Sequence, residues 1–232
     1  MAGAWNCWIL DLLFPPKCVF CGELSKERVC AECAAALPET GDAAVKELPD
    51  GLRCVSPLYY EGSVRESLLR FKFHDAPYCA GGYAELLARA AALEFGGGFD
   101  LVSWVPVSRK RRRERGYDQS ELLAKELCRF WETSPVRTLE KTVHTPAQSG
   151  ITAPEQRRAN VLGVYEAVNG EQWRGKRILL VDDILTTGAT LSEAARTLRF
   201  AGAEQVMAVT VARARDHAKK NVMETKERNG IR

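Results

Sequence analysis

The stretch Arg177-Ile178-Leu179-Leu180-Val181-Asp182-Asp183-Ile184-Leu185-Thr186-Thr187-Gly188-Ala189-Thr190 decides the fold. Arg177 to Val181 reads as a strand apolar enough to be buried on both faces. A helix is expected from about Thr190 to Phe200, with Gly202 as its cap, and a further strand from Gln205 to Val211. Strand, helix and strand in that order make a βαβ unit of a parallel sheet. Asp182 to Thr190 then reads as the loop leaving the carboxyl end of a strand, where open α/β sheets bind ligands. Small residues at Thr187, Gly188 and Ala189 let backbone amides approach a phosphate, and the following helix presents its unsatisfied N–H groups to that anion. Thr186, Thr187 and Thr190 add hydroxyl donors. Asp182 and Asp183 supply acceptors suited to vicinal hydroxyls or to Mg²⁺. A phosphate cradle beside two carboxylates suits a sugar phosphate, and the absence of a following GKS or GKT separates it from a Walker A loop.

The chain has 232 residues, 46% hydrophobic and 27% charged, which fits one α/β domain with a small appendage and excludes a disordered, coiled-coil or collagenous chain. The formal charge is only +3, but Arg109 to Arg115 concentrates six positive charges and one negative in seven residues. The rest is near neutral, so one segment attracts anions. No stretch approaches the roughly 18 apolar residues of a spanning helix. Met1 to Pro16 is apolar but lacks a basic leader, contains Asp11 and ends in Pro15-Pro16, so an amphipathic helix packed on the body is expected rather than a signal peptide.

Of eight cysteines, four form Cys18-Val-Phe-Cys21 and Cys30-Ala-Glu-Cys33. Each CxxC turn sets two thiolates on one side of a knuckle, and two knuckles complete a tetrahedral structural zinc site. Gly22 suits the backbone reversal. An iron–sulfur cluster uses the same ligand type, so the ligand set alone does not choose the metal. Cys7, Cys54, Cys79 and Cys128 are scattered, and the pattern points to a reducing, cytoplasmic setting. The expected organisation is a helix and zinc module over 1–37, a linker over 38–51, an α/β domain over 52–215 and a basic tail over 216–232. Within the α/β domain, Arg53 to Tyr60 reads as a strand, and Gly62 to Phe71 and Gly81 to Phe95 as helices. Asp100 to Val105 reads as a strand, Ser120 to Trp131 as a helix, and 141–160 as a long loop.

Asp182 to Thr190 resembles the signature that binds 5-phosphoribosyl 1-pyrophosphate (PRPP) in type I phosphoribosyltransferases. Within that superfamily the chain resembles the ComF family of competence-associated, ComFC- and GntX-like proteins. The residues carrying this are the four-cysteine knuckles, Leu69-Arg70-Phe71-Lys72, Arg109 to Gln119 with its Arg115-Gly116-Tyr117-Asp118-Gln119 core, and Gln148 through Arg157-Arg158-Ala159-Asn160. One departure is Asp118, where the family more often has Asn; it sets a negative charge beside the arginines.

The resemblance implies a type I phosphoribosyltransferase-like parallel sheet flanked by helices, with PRPP and Mg²⁺ as ligands. The 5′-phosphate would lie on Thr186 to Thr190 and the ribose hydroxyls on Asp182 and Asp183. Pyrophosphate would face Pro106, Val107, Ser108, Arg109, Arg112, Arg113 and Arg115. A hood would bring in Lys141, Gln148 and Arg157, and Lys72 would add a phosphate contact. The chemistry implied is displacement at C1 of the ribose, with the protein supplying position and electrostatics. No general base is apparent: His74, His144 and His217 read as surface or loop residues. Three functions are compatible with these features. They are a phosphoribosyltransferase with an unknown acceptor, a factor handling single-stranded DNA among competence proteins with PRPP as ligand, and a PRPP-sensing regulator without turnover.

Overall fold

The computed structural model describes residues 16–74, 76–142 and 163–215. The N-terminal amphipathic helix expected from Met1, the tail 216–232, and Gln148, Arg157, His144 and His217 lie outside them. In chain order come α1 (Ala31–Ala36), β1 (Val45–Glu47), β2 (Arg53–Val55), β3 (Leu58–Tyr59), α2 (Gly62–Phe73), α3 (Cys79–Phe95) and β4 (Leu101–Trp104). Then follow α4 (Arg109–Arg115), α5 (Gln119–Arg129), β5 (Leu139–Lys141), β6 (Tyr165–Ala167), α6 (Gly170–Trp173), β7 (Arg177–Leu185), α7 (Ala189–Phe200) and β8 (Gln205–Arg213).

The main sheet runs β1-β2-β8-β7-β4, with β3 also paired to β8. All pairings are parallel except β1 with β2. β7 is apolar from Ile178 to Val181 because both its faces are covered there. Leu179 and Val181 join the core beneath α3 and α5 with Tyr83, Leu87, Leu123 and Leu127. Ile178 and Leu180 face the other way and pack with Leu191, Ala194, Ala195 and Leu198, a stripe spaced three and four apart on α7.

Two expectations change. The segment 38–51 is not a linker: it carries β1, whose Val45, Lys46 and Glu47 pair with Val55, Cys54 and Arg53 at the sheet edge. The strand expected from Arg53 to Tyr60 is split into β2 and β3 at Ser56-Pro57, although both halves follow β8. Pro57 has no N–H to give a ladder, so the strand yields there. Of the loop expected over 141–160, residues 143–160 lie outside the described residues, and its first residue, Lys141, ends an antiparallel ribbon in which Leu139, Glu140 and Lys141 stand opposite Ala167, Glu166 and Tyr165.

The knuckle residues are built into the body. Cys18, Val19 and Phe20 are almost fully buried in the same core as α2 and α3. α3 starts at Cys79, so Gly81 and Gly82 lie inside it. A Cβ on Gly81 would stand 2.6 Å from Arg28 Nη1, and one on Gly82 would stand 2.5 Å from Val19 Cγ2. The glycine pair is the notch that lets the cysteine-bearing loop reach the helix.

Candidate functional site

Two short turns bring four cysteines together. Cys18 and Cys21 bracket a turn closed by Gly22 N–H donating to Cys18 C=O at 2.9 Å, with Gly22 at φ 81°. Cys30 and Cys33 flank the start of α1. The ligand atoms of Cys18, Cys21, Cys30 and Cys33 all lie within 4.8 Å of one another, and Cys21 Sγ is 3.9 Å from Cys30 Sγ. Zn–S bonds of about 2.3 Å in a tetrahedron place sulfurs about 3.8 Å apart, so the cluster fits a structural zinc. Burial raises the Cys18 thiol, but N–H groups from Cys21, Cys30 and Phe20 outweigh it and hold it at about 6. Those donors favour the thiolate that a metal needs.

A second site is a cleft of about 370 Å³ at the carboxyl ends of β4 and β7. The sequence places Asp182 and Asp183 in a loop, yet both are strand residues. β8 continues alongside, so Asp182 faces Thr210 and Leu185 faces Arg213 in register. A strand holds the two carboxylates more rigidly than a loop would. Asp182 Oδ1 accepts from Ser120 Oγ and from the Asp183 N–H, each at 2.9 Å. Burial first, and the neighbouring Asp183 second, push Asp182 up to about 7 against the pull of Lys72. Lys72 Nζ stands 2.8 Å from Asp183 Oδ2. Lys72, expected on a phosphate, is therefore the counter-ion of an acid in this structure.

Thr186, Gly188, Ala189 and Thr190 line the cleft at the start of α7. Thr187 is not among the lining residues; its Oγ1 accepts from the Ala189 N–H at 3.4 Å. Gly188 has φ 83°, and a Cβ there would meet Leu48 Cδ2 at 2.7 Å. The glycine is required both by conformation and by room.

The arginine run forms α4, and a seven-residue helix cannot turn every side chain one way. Arg111 and Arg115, one turn apart, line the cleft, with Pro106 and Val107. Ser108, Arg109, Arg112 and Arg113 do not. Ser108 Oγ caps α4 by accepting from the Arg111 N–H at 3.4 Å. Arg109 makes two bonds to Glu140 Oε1, at 3.1 and 2.6 Å, and Arg112 Nη1 lies 3.0 Å from Glu121 Oε2. Arg113 is exposed. Asp118 positions its neighbours. Its Oδ1 accepts from Ser120 N and Glu121 N, capping α5, and its Oδ2 accepts from Val107 N at 2.9 Å. The side chain thereby ties the loop after β4 to the helix that delivers Ser120 to Asp182.

The β5–β6 ribbon brings Lys141 and Tyr165 to the same cleft. Lys141 Nζ lies 5.2 Å from the Tyr165 ring centre. Burial, and then the charge on Arg111, push Lys141 down to about 8. Burial, and then Arg115, lower Arg111 as well. Cations that depress one another in a half-buried cleft form a site that a polyanion would relieve. Tyr165 is 4% exposed, and among the described residues its hydroxyl has no hydrogen-bond partner. Sequence reading missed Arg111, Ser120 and Tyr165. The first was open to it, because Arg115 and the residue four before it share a helix face; the other two have no local signal.

Residues 122–229 match the model of the phosphoribosyl transferase domain, and residues 9–44 match the double zinc ribbon domain. The chain is 30% identical over 184 residues to Competence protein ComFC of Bacillus subtilis, covering 78% of this chain and 70% of that protein. It is 37% identical over 112 residues to Competence protein F of Haemophilus influenzae, covering 47% of this chain and 48% of that one. The chain thus spans about half the length of the Haemophilus relative. Among solved structures, the glutamine PRPP amidotransferase of B. subtilis, complexed with ADP and GMP, aligns at TM-score 0.42 and 21% identity. That alignment covers 62% of this chain and 30% of that one.

Proposed function

From its membership of the ComF family, within the phosphoribosyltransferase superfamily, we propose that this chain binds PRPP and transfers its phosphoribosyl group to an acceptor in the service of DNA uptake. One observation carries the proposal. Two carboxylates on a rigid strand, the 186–190 turn at a helix N-terminus and the cations Arg111, Arg115 and Lys141 all line a single cleft. These groups supply a partner for each part of PRPP: the turn for the 5′-phosphate, Asp182 and Asp183 for the diol, and the cations and the Val107 loop for the diphosphate. Mg²⁺ suits the oxygen donors here and would share the diphosphate charge. Asp182 and Asp183 hold the ribose hydroxyls as positive charge develops at C1. Arg111, Arg115 and Lys141 hold the departing diphosphate.

The two remaining readings have less support. Of the outward-facing cations of α4, Arg109, Lys110 and Arg112 are each paired with a carboxylate, of Glu140, Glu114 and Glu121, which offsets part of the positive field a DNA backbone would meet. The intact carboxylate pair is compatible with sensing as with turnover. Among the described residues no helix is long and apolar enough to cross a membrane. The test is calorimetric titration of PRPP with Mg²⁺ into zinc-loaded protein and into the Asp182→Asn/Asp183→Asn variant. Binding by the first and not the second is expected; no binding by the first refutes the proposal. Pyrophosphate release across candidate acceptors then separates turnover from sensing.

A further inference from the structure

One helix joins the metal cluster to the cleft. α2 turns Val64, Ser67, Leu68 and Phe71 into the core, while Leu69, Lys72 and Phe73 line the cleft. The inward side is held by the backbone between Cys18 and Cys21. Val19 C=O accepts from Ser67 Oγ, from Cys79 Sγ at 3.7 Å and from Arg70 Nη2 at 3.4 Å. Phe20 C=O accepts from the same Arg70 nitrogen. The Phe20 ring meets Tyr83 edge-on at 5.9 Å, and the Tyr83 hydroxyl bonds Ser67 Oγ. Two residues after Arg70, Lys72 reaches Asp183.

These two carbonyls point at α2 only while the turn between Cys18 and Cys21 keeps its shape. Beyond the Gly22-to-Cys18 hydrogen bond and the packing of Val19 and Phe20, the turn would be fixed by a metal on the cysteines that bracket it. We propose that Arg70 and Ser67 are positioning residues, which carry the geometry of the metal-held turn through α2 to the Lys72–Asp183 pair, so that the filled cysteine cluster sets the affinity of the cleft for a sugar phosphate. The affinity half of this rests on the PRPP reading above; the structural half does not. A shift of about 1 Å in α2 is enough to spoil a bound geometry, and misplacements of that size change function by one to two orders of magnitude.

The test uses full-length, zinc-loaded protein and two readouts. First, PRPP affinity is measured by calorimetry for wild type, Arg70→Met, Lys72→Met and the double variant. Each single change is expected to weaken binding about tenfold and the double change no more than the stronger single, because both act through one ion pair. Arg70→Lys, which keeps a donor toward the carbonyls, should recover part of the loss. Losses that multiply in the double variant overturn the proposal. If Arg70→Met does not fold, Ser67→Ala takes its place in the same cycle. Second, amide hydrogen exchange is compared with and without zinc. Residues 62–73 should lose protection on zinc removal while 205–213 keep theirs. Unchanged protection in α2, or loss throughout the sheet, overturns the proposal. If wild type binds no PRPP, the sugar-phosphate reading fails, and the exchange experiment still decides whether the cluster governs α2.

Discussion

Asp182→Asn should stabilise the protein while disabling the proposed site, and the size of the gain should depend on pH. Asp182 lies at the end of a buried strand and ionises at about 7 against 3.8 for an unperturbed carboxyl. A carboxyl whose folded pKa lies above its unfolded one binds more protons folded than unfolded. Stability therefore falls as pH rises from 3.8 to about 7 and is flat beyond. At about 1.4 kcal/mol per pH unit the gap is worth about 4 kcal/mol as an upper bound. The residue lines the cleft and is not fully buried, so solvent reached through the cleft screens part of this, and about 1–2 kcal/mol is expected. An asparagine retains an oxygen for Ser120 Oγ and the Asp183 N–H, so no donor is orphaned. For a protein of this size each kcal/mol moves Tm by about 2–4 °C, giving a rise of about 2–8 °C at pH 8. About half of the effect should have developed at pH 5.5. The assay is thermal unfolding of zinc-loaded wild type and variant at both pH values, beside PRPP titration. A variant less stable than wild type at pH 8, or a gap that does not change with pH, refutes the reasoning. The carboxylate would then not be a destabilising group kept for its chemistry.

Three further outcomes follow from the same geometry. Binding of PRPP should bring protons with it near pH 8: Lys141, held at about 8 by burial and Arg111, regains its proton beside the diphosphate, so binding enthalpies in buffers of different ionisation heat should report net uptake of up to about half a proton. Arg111→Ala should weaken PRPP binding at least tenfold in a titration while Arg113→Ala, on the exposed face of the same helix, changes it less than twofold. Gly82→Ala gains about 1 kcal/mol of helix propensity but sets a methyl 2.5 Å from Val19 Cγ2, an overpacking cost of about 1–3 kcal/mol. A lower Tm and faster zinc release to a chelator are expected there, with partial recovery on adding Val19→Ala.

The parts of this protein that the sequence disclosed are those whose chemistry is local. A strand apolar on both faces, a turn of Thr, Gly and Ala before a helix, and two CxxC pairs each state their purpose within about ten residues, because period and spacing translate directly into geometry. The same reading erred where the answer lies in a neighbour. Asp182 and Asp183 are strand residues only because β8 runs on beside them to Arg213. The polar stretch 38–51 holds a strand only because Cys54 and its neighbours offer an edge to pair with. Lys141 and Tyr165 are far apart in the chain, and antiparallel pairing alone brings them together at the cleft.

Composition announced a positive segment at 109–115, but charge counts have no direction. The tertiary structure decided that Arg111 and Arg115 face the cleft, that Arg109 and Arg112 are engaged by Glu140 and Glu121, and that Lys72 meets an acid. It also decided that the cysteine module is part of the core. Gly81 and Gly82 read in sequence as helix residues of low propensity, and only the approach of Arg28 and Val19 shows what their missing side chains are for. Local chemistry is written in the order of the residues, whereas which faces meet depends on packing between segments far apart in the chain.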